Sequence, residues 1–346
     1  MKRARVVIVD DAMLIRRLVS DALTGDPAIE IVGEAANGKL ALQKIAQLQP
    51  DLVTLDVEMP GMDGLAVLRE IRKSHPRLPV IMFSALTERG AADTLEALHI
   101  GASDYVTKPS SAAGKAVALE CIRGDLVPKI RSLCRVAGAD GAPPARFTMR
   151  ALGSPSRAEV VVIALSTGGP TALSTVFSGL PADFPVPIMV VQHMPAMFTR
   201  FLADRLKGQT PLTVVEATDG RMVQAGSVYL APGDAHLTVR KQGSHVVTAI
   251  GGDAGVQAQK ASADVLFASV AAVYGSRALG VVLTGMGEDG LHGSEEITKA
   301  GGRVLVQDEA TSLVWEMPGR VARAGLADAV LPIAEMAAEL VRRTRS

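Results

Sequence analysis

The sequence predicts an α/β protein with two doubly wound parallel sheets, one in each half of the chain. Short apolar runs alternate with longer amphipathic segments in both halves, and this alternation lapses once near the middle. The length of 346 residues also suits two domains, each large enough to bury a core of its own. We therefore expect two separately packed domains.

The first alternation occupies residues 1–123. Its apolar runs are short and rich in Val and Ile, as expected for strands buried on both faces of a sheet. The predicted strands are ARVVIVD, AIEIVGEA, DLVTLD, PVIMFSA and DYVTKP, and the helices between them include AMLIRRLVSDAL, GKLALQKIAQL and LAVLREIRK. Because strands joined by helices pair in parallel, this half predicts a doubly wound sheet.

Residues 124–157 are predicted to be a linker, because GADGAPPAR and GSPSR carry the small residues and prolines of an exposed connector. The alternation resumes in residues 158–346. Its segments are EVVVIALS, TALSTVFSGL, PVPIMVVQH, MFTRFLADRL, GSVYLAPG, ALGVVLTG and GGRVLVQDE. The second half therefore also predicts a sheet with helices on its faces.

Composition limits the classes of function. Lys plus Arg and Asp plus Glu number 36 each, so no overall charge draws the chain to nucleic acid or to an anionic membrane. No apolar run approaches the ~20 residues needed to span a bilayer, and the first residues lack a signal-peptide pattern. Cys121 and Cys134 lie outside any metal-ligand spacing. We expect a cytoplasmic protein without nucleic-acid partners or membrane insertion, whose function depends on a local site.

Polar side chains follow the predicted strands of the first half where each strand ends. They are Asp10 and Asp11 after VVIV, Asp56 ending LVTLD, Ser84 after VIMF and Lys108 after DYVT. Since ligands of open α/β sheets bind at the carboxyl ends of strands, we expect these side chains on one rim. Three carboxylates there suit Mg²⁺, and one would accept a phosphoryl group, with Lys108 and Ser84 contacting the product. The alternative is a flavodoxin-like sheet whose acids are only solvated.

Ser166 ends a predicted strand in the second half, within VVVIALSTGGP. This stretch has the form of a nucleophile elbow: a strand ends at the serine, and Thr167, Gly168 and Gly169 follow before a helix. Ala164 stands where the G-x-S-x-G pattern has its first glycine. Such a turn lifts the hydroxyl above the sheet and points backbone N–H groups at the group it attacks. A phosphate-binding glycine turn or ordinary turn chemistry would produce the same pattern.

His193 and Asp289 are the predicted partners of that serine. His193 ends PVPIMVVQH and Asp289 lies in the loop after ALGVVLTG, so both are expected at the same rim. An imidazole, with an unperturbed pKa of about 6.5, can take the serine proton, and a carboxylate can orient the ring. His236 follows a Pro-Gly turn and would border the cleft, whereas His292 is expected to be a solvated residue at a helix start.

A dinucleotide site is an alternative for the loop at residues 285–290. Its sequence GMGEDG matches G-x-G-x-x-G after a strand, and Asp308 falls near the offset of a ribose-binding acid. That interpretation would place Glu288 and Asp289 in the loop that must approach a pyrophosphate, and like charges oppose such binding.

The motifs of the first half resemble the response-regulator receiver family over roughly residues 4–122. The resemblance is carried by Asp10-Asp11, DVEMPGMDG from Asp56 to Gly64, Ser84-Ala85 and Lys108-Pro109. It implies a flavodoxin-like receiver in which Asp56 is phosphorylated and shares Mg²⁺ with Asp10 and Asp11. It also implies that Ser84 and Lys108 respond to the phosphoryl group and that Tyr105 is the aromatic side chain that moves with it.

The motifs of the second half resemble the catalytic domain of the CheB family over nearly all of residues 158–335. They are STGGP, QHMP, DVLF, LTGMGEDG and DEATSLVWEMP, and a receiver in front of them is the architecture of that family. The resemblance implies an α/β serine hydrolase that cleaves glutamate γ-methyl esters on methyl-accepting chemotaxis receptors and also deamidates receptor glutamines. It assigns Ser166, His193 and Asp289 as the triad and the oxyanion-binding N–H groups to Thr167 and Met286.

The same resemblance implies a chemotaxis histidine kinase as phosphodonor, Mg²⁺ for the receiver and no cofactor for ester hydrolysis. It further implies that the unphosphorylated receiver inhibits the hydrolase. Glu316 departs from the family pattern, which has glycine before Met-Pro, as do KASA before DVLF and Ala235 in PGDAH. These departures bear on substrate preference, above all on deamidation, because an amide is a poorer acyl donor. A phosphorylation-switched binding module without turnover is the second class of function, against which the complete triad argues.

Overall fold

The computed structural model describes residues 3–109, 114–135, 157–251 and 261–345. The chain divides into two compact units, Met1–Pro143 and Pro144–Ser346. The apolar segments of both halves form the predicted parallel strands, so the α/β class with two doubly wound sheets is confirmed. Among the described residues, no helix has both the length and the apolar character needed to cross a membrane.

The N-terminal unit is a five-stranded parallel sheet. Its strands are β1 (Ala4–Val9), β2 (Ile29–Ala35), β3 (Leu52–Asp56), β4 (Val80–Ser84) and β5 (Asp104–Thr107), in the spatial order β2-β1-β3-β4-β5. Its helices are α1 (Met13–Leu23), α2 (Gly38–Leu48), α3 (Gly64–Ser74), α4 (Glu88–Ile100) and α5 (Lys115–Leu133). Helix α1 packs against α5, and α3 packs against α2 and α4. This arrangement leaves the carboxyl ends of β1, β3, β4 and β5 along one rim.

Local sequence fixes where three of these helices begin. The side chains of Asn37, Asp63 and Thr87 each accept a hydrogen bond from the backbone N–H three residues later, at the starts of α2, α3 and α4. Such caps satisfy N–H groups that have no partner within the helix. Because α3 and α4 follow β3 and β4, these caps fix the loops at the carboxyl ends of those strands. These loops border the rim of the sheet that carries Asp10, Asp11 and Asp56, which we call the acidic rim.

Helix α5 extends ten residues beyond the predicted domain end at residue 123, so residues 124–133 are not part of a linker. The reason is packing: Leu126 and Ile130 are fully buried in the core that β1 and α1 line. GADGAPPAR and most of GSPSR lie outside the described residues. The remaining division, with a linker ending at 157 and a catalytic domain from 158 to 346, stays a prediction.

The C-terminal unit contains a seven-stranded parallel sheet and a separate antiparallel pair. The sheet consists of β6 (Val160–Leu165), β7 (Ile188–Gln192), β8 (Thr213–Glu216), β9 (Ser227–Leu230), β12 (Ala278–Val282), β13 (Arg303–Gln307) and β14 (Ala329–Leu331). The pair is β10 (His236–Gln242) and β11 (His245–Gly251). The helices are α6 (Gly169–Ser178), α7 (Ala196–Lys207), α8 (Ala263–Tyr274), α9 (Leu291–Lys299), α10 (Glu316–Arg323) and α11 (Ile333–Arg345).

The strand order β14-β13-β12-β6-β7-β9-β8 places β6 between β12 and β7. Every residue of these three strands is buried, as their Val- and Ile-rich sequences require. The chain leaves β6 towards β7 on one side and returns to β12 on the other. A crevice opens at such a switch point, outside the carboxyl ends of the strands, and it is there that open α/β sheets bind ligands.

Candidate active site and phosphorylation site

Ser166 directly follows β6 and begins the turn that leads into α6. Its N–H donates to the Thr284 carbonyl at 3.1 Å, and the Gly169 N–H donates to the Ser166 carbonyl at 2.8 Å. The turn requires a φ of +80° at Gly168, a conformation that glycine adopts without strain. A Cβ at Gly168 would also lie only 2.9 Å from Leu313 Cβ. The predicted strand, tight turn and helix are therefore present, and the serine is half-buried at the rim.

His193 directly follows β7, the neighbouring strand. Its N–H donates to the Leu165 carbonyl at 3.1 Å, which extends the pairing of β6 and β7 by one residue. Its Nε2 lies 2.8 Å from Asp289 Oδ2. Since Leu165 immediately precedes Ser166, the paired backbones hold the serine and the histidine on adjacent strand ends.

Asp289 lies in the loop between β12 and α9, and its carboxylate faces the start of α8. It accepts hydrogen bonds from Ser262 Oγ at 2.9 Å, from the Ala263 N–H at 2.7 Å and from the Asp264 N–H at 2.9 Å. Burial raises the pKa of Asp289, but hydrogen bonds from His193 and from backbone N–H groups lower it by a larger amount, so that the pKa is about 2. The positive end of the α8 dipole acts in the same direction. The carboxylate is therefore ionised at neutral pH.

The ionised carboxylate fixes the tautomer of His193. A deprotonated carboxylate only accepts hydrogen bonds, so His193 Nε2 must carry the proton that is donated to Asp289. In the neutral imidazole Nδ1 is then the unprotonated nitrogen and the one able to take a proton. The pair thus supplies an oriented general base whose protonated form the carboxylate would stabilise.

Gln192 connects Ser166 and His193, a role that no motif indicated. This last residue of β7 is buried, and its Nε2 donates to the Ser166 carbonyl at 3.0 Å and to the His193 carbonyl at 3.3 Å. A Cβ at Gly169 would lie 1.9 Å from Gln192 Oε1, so glycine there leaves room for the amide. The sequence signals were its place in the motif QHMP and an amide between an apolar strand and a histidine, and neither indicated this contact.

Thr167 and Met286, which the family resemblance assigned to the oxyanion site, lie in two loops that border Ser166. Thr167 is the next residue of the turn, is buried, and accepts a hydrogen bond at its carbonyl from Thr284 Oγ1 at 2.9 Å. Met286 follows Gly285, and a Cβ on Gly285 would lie 3.0 Å from Ser166 Cβ. Backbone of both loops therefore approaches the serine.

The loop that carries Met286 is held on both sides by the start of α10 and the residues just before it. The Gly285 N–H donates to the Val314 carbonyl at 3.0 Å, and the Gly287 N–H donates to Glu316 Oε2 at 2.9 Å. Glu316, noted above as a departure from the family pattern, thus bonds directly to this loop.

The two remaining histidines of this half that were considered for the site differ in position. His236 is buried, and its Nδ1 accepts a hydrogen bond at 3.1 Å from the N–H of Ser262, itself bonded to Asp289. His292 is exposed over 75% of its side chain and lies 3.7 Å from Glu295. His236 therefore borders the site through Ser262, and His292 is the solvated residue that the sequence indicated.

The structure argues against a dinucleotide at residues 285–290. A bound pyrophosphate would need the free N–H groups at the start of α9. The Gly290 and Gly293 N–H groups there already donate to Asp264 Oδ1, at 2.9 and 2.7 Å. A carboxylate of the protein itself therefore occupies the anion position of the fingerprint.

The predicted acidic cluster forms at the rim of the N-terminal sheet. One carboxylate oxygen from each of Asp10, Asp11 and Asp56 lies within 4.8 Å of the other two. Lys108 Nζ lies 2.7 Å from Asp56 Oδ1 and 3.0 Å from Asp10 Oδ2. Burial raises the pKa of Asp56, the Lys108 ammonium lowers it and the Asp10 charge raises it, which leaves it at about 6.

These residues fit a hard divalent cation. Asp56 Oδ2 is buried and has no hydrogen-bond donor among the residues that the structure describes. Oxygen ligands from several carboxylates are what Mg²⁺ prefers, and such a cation would satisfy this atom and reduce the repulsion within the cluster.

Ser84 and Tyr105, the two predicted switch residues, are both buried. Ser84 Oγ donates to the Gly90 carbonyl at 3.0 Å, which ties the end of β4 to the first turn of α4. The Tyr105 ring lies 5.3 Å from Lys129 Nζ, and burial raises the pKa of its hydroxyl well above the usual value.

Family models match both halves of the chain. The family model described as CheB methylesterase matches residues 161–340, and the model described as response regulator receiver domain matches residues 6–117. The chain belongs to the CheB methylesterase family. All three members of the predicted triad fall within the first match.

Other members of the CheB methylesterase family resemble the chain over almost its whole length. The protein-glutamate methylesterase/protein-glutamine glutaminase of Trichodesmium erythraeum is 45% identical over 99% of both chains. The protein of the same name from a Nocardioides species is 48% identical over 98% of this chain and 95% of its own. The catalytic domain of the Thermotoga maritima CheB methylesterase has a TM-score of 0.52 at 40% identity, covering 54% of this chain and 99% of that domain.

Proposed function

We propose that the chain is a phosphorylation-activated protein-glutamate methylesterase that hydrolyses glutamate γ-methyl esters on methyl-accepting chemotaxis receptors. The observation that carries the proposal is the 2.8 Å pair of His193 Nε2 and Asp289 Oδ2 at a strand end adjacent to that of Ser166. Full-length relatives whose names state this activity support it.

In the first step, His193 Nδ1 takes the proton of Ser166, and the serine oxygen attacks the carbonyl carbon of the side-chain ester. The Asp289 carboxylate stabilises the imidazolium that forms. The backbone N–H groups of Thr167 and Met286 are proposed to donate to the oxyanion, because charge that develops on that oxygen is best stabilised by donors fixed in advance.

The tetrahedral intermediate then breaks its bond to the methoxy oxygen. The methoxy group takes the proton from His193 Nδ1 and leaves as methanol, and Ser166 stays acylated by the receptor glutamate. Water next gives a proton to the same imidazole and attacks the acyl carbon. The Ser166 oxygen leaves and regains its proton, which frees a glutamate carboxylate.

Deamidation of receptor glutamines would follow the same route with ammonia as the leaving group. The relatives carry this second activity in their names. An amide is a poorer acyl donor than an ester, so this reaction depends more strongly on how well the oxyanion donors are placed. We propose deamidation as the second activity of the site.

The acidic rim is proposed to receive the phosphoryl group on Asp56, from a chemotaxis histidine kinase. Asp10, Asp11 and Asp56 would hold Mg²⁺, which when bound neutralises phosphoryl charge. Lys108, already 2.7 Å from Asp56 Oδ1, would contact the same group, and Ser84 and Tyr105 would respond to it. Phosphorylation would shift the receiver away from an inhibitory state. We propose that the protein acts in the cytoplasm, on the cytoplasmic parts of the receptors.

Methanol release from methylated receptor membranes tests the proposal. The wild type and Ser166→Ala are compared with and without a small-molecule phosphodonor, and Ser178→Ala, an exposed serine on α6, serves as control. We expect release by the wild type and the control, stimulation of both by the phosphodonor, and no release by Ser166→Ala. Release by Ser166→Ala at the wild-type rate would contradict the assigned nucleophile. Receptor binding without release by the wild type would identify a binding module instead.

A further inference from the structure

Asp264 and Asp289 close the starts of two neighbouring helices reciprocally. Asp264 belongs to the first turn of α8, yet its Oδ1 accepts from the Gly290 and Gly293 N–H groups at the start of α9. Asp289 lies just before α9, yet it accepts from the Ala263 and Asp264 N–H groups at the start of α8. The Asp264 carboxylate therefore caps α9, and the Asp289 carboxylate caps α8.

This arrangement brings two carboxylates together at a cost. Burial raises the pKa of Asp264, the hydrogen bond from Gly293 lowers it, and the charge of Asp289 raises it again. The two side chains thus repel each other, and the backbone donors must offset that repulsion. A neutral acceptor at position 264 would avoid the penalty and keep both hydrogen bonds.

The contact with Gly290 bears directly on the proposed triad, because Gly290 is the residue that follows Asp289. Glycines flank this part of the loop, with a φ of +94° at Gly287 and +95° at Gly290. Glycine backbone has more conformational freedom than any other, so such a loop needs external contacts to adopt one conformation. The structure provides one at each glycine, from Glu316 to the Gly287 N–H and from Asp264 to the Gly290 N–H.

The helices around this contact leave little room for adjustment. A Cβ at Gly293 would lie 2.5 Å from Phe267 Cβ and 3.0 Å from Asp264 Cα, so α8 and α9 are in close contact. The start of α9 cannot shift towards α8 to replace a lost acceptor at position 264. The bond to Asp264 therefore holds the start of α9 and the backbone at Gly290, next to Asp289. The Gly290 N–H is shared with Asp289 Oδ1 at 3.1 Å, and the Asp289 carboxylate is also held by Ser262 and by the start of α8.

We infer that Asp264 is a positioning residue for the proposed hydrolase: it fixes the backbone at Gly290 and thereby the angle at which the Asp289 carboxylate meets His193. This role rests on the proposed function. The positioning effect depends on where the acceptor oxygen of Asp264 lies and not on the charge of its side chain.

Three substitutions in the full-length protein separate position from charge. Asp264→Asn keeps an acceptor oxygen at the same place and removes the charge. Asp264→Glu keeps the charge and moves the oxygens by one methylene, and Asp264→Ala removes both. Glu335→Ala, which removes an exposed acid from the first turn of α11, is the matched control. Initial rates of methanol release from methylated receptor membranes give kcat and KM, and circular dichroism monitors folding.

We expect Asp264→Asn and the control to retain wild-type kcat. Asp264→Ala and Asp264→Glu should lose kcat on the order of 100-fold with little change in KM, since small displacements in a catalytic site have effects of this size. Wild-type kcat in Asp264→Glu, or equal losses in Asp264→Asn and Asp264→Glu, would overturn the inference. These two variants decide the matter even if Asp264→Ala does not fold. If the wild type releases no methanol, the proposed function itself is contradicted. If every variant is as active as the wild type, only the role of Asp264 is contradicted.

Discussion

Asp289 Oδ2 lies 2.8 Å from His193 Nε2, and the same carboxylate accepts two backbone hydrogen bonds at the start of α8. One side chain therefore orients the imidazole and also caps a helix. Burial raises the pKa of this carboxylate, but the hydrogen bond from His193 and those from the helix N–H groups together lower it by more and keep it ionised. The ionised form is the one that fixes the tautomer of His193. Changes at Asp289 should consequently alter both turnover and stability.

Replacing Asp289 with Asn should reduce kcat by on the order of 10³- to 10⁴-fold with a small change in KM. An amide at this position no longer requires a donor at His193 Nε2, so the ring loses the tautomer that leaves Nδ1 free, and the imidazolium loses its counter-charge. The measurement is steady-state methanol release. A decrease confined to KM would show that Asp289 contributes to binding and not to proton transfer.

Acid should remove part of the stability of the C-terminal unit through the same residue. The folded pKa of Asp289, about 2, lies below its ordinary value of 3.8, so the folded state favours the ionised form. This contribution, about 2 kcal/mol, is present above pH 4 and is lost as the pH falls towards 2. Trp315, the single tryptophan, reports urea unfolding of this unit. The difference between wild type and Asp289→Asn should shrink between pH 5 and pH 2, and a constant difference would contradict the assignment.

Gln192→Met should lower both stability and turnover. Methionine fills a similar volume but donates no hydrogen bond, so the Ser166 and His193 carbonyls lose a buried donor. The expected loss in the free energy of unfolding is about 1–3 kcal/mol. Urea unfolding followed by Trp315 fluorescence measures this loss. The value of kcat should also decrease, because two residues of the proposed triad lose their shared contact. Gln224→Met, at an exposed glutamine, is the control, and equal stability of both variants would refute the role.

The sequence was sufficient to predict most strands of the two sheets because these strands are buried and are therefore continuous apolar runs. The edge strands β8 and β14, which are short and only partly buried, were not predicted. The antiparallel pair β10 and β11 was not predicted, since polar residues such as Arg240 and Lys241 interrupt its apolar pattern and it lies outside the main sheet. Helix α5 was not predicted either, and the domain end placed at residue 123 falls inside it. Gly124 suggested a break there, but burial of Leu126 and Ile130 continues the helix.

The members of the proposed triad could be selected from sequence because parallel strands expose their carboxyl ends at one edge, where polar residues are conspicuous. The contacts of Gln192 and Asp264 could not be inferred in this way, although the two residues lie in the motifs QHMP and DVLF. Gln192 bonds to a backbone carbonyl 26 residues away, and Asp264 bonds to a backbone N–H 26 residues away. Every residue has a backbone carbonyl and every residue except proline has an N–H, so residue type does not indicate which of these groups a distant side chain will reach.

Asp56→Asn should retain basal esterase activity and lose stimulation by a phosphodonor. The substitution removes the proposed phosphoryl acceptor in the N-terminal unit and changes nothing in the hydrolase unit. Chelation of divalent cations should have the same effect on the wild type, because Asp10, Asp11 and Asp56 form the cluster proposed to hold Mg²⁺. Methanol release with and without phosphodonor is the measurement. Equal stimulation of wild type and Asp56→Asn would eliminate this residue as the acceptor.

Glu316 should influence deamidation more than ester hydrolysis. Its carboxylate accepts the Gly287 N–H at 2.9 Å and so fixes the backbone next to Met286, the proposed oxyanion donor. Glu316→Ala removes this contact, whereas Glu316→Gln keeps an acceptor of the same length. Since loss of a complete oxyanion donor costs about 100- to 1,000-fold in kcat, a misplaced donor should cost less, on the order of 10-fold, and amide substrates should suffer most. Ammonia and methanol release from the same receptor preparation measure the two activities. The role would be wrong if Glu316→Ala matched Glu316→Gln in both.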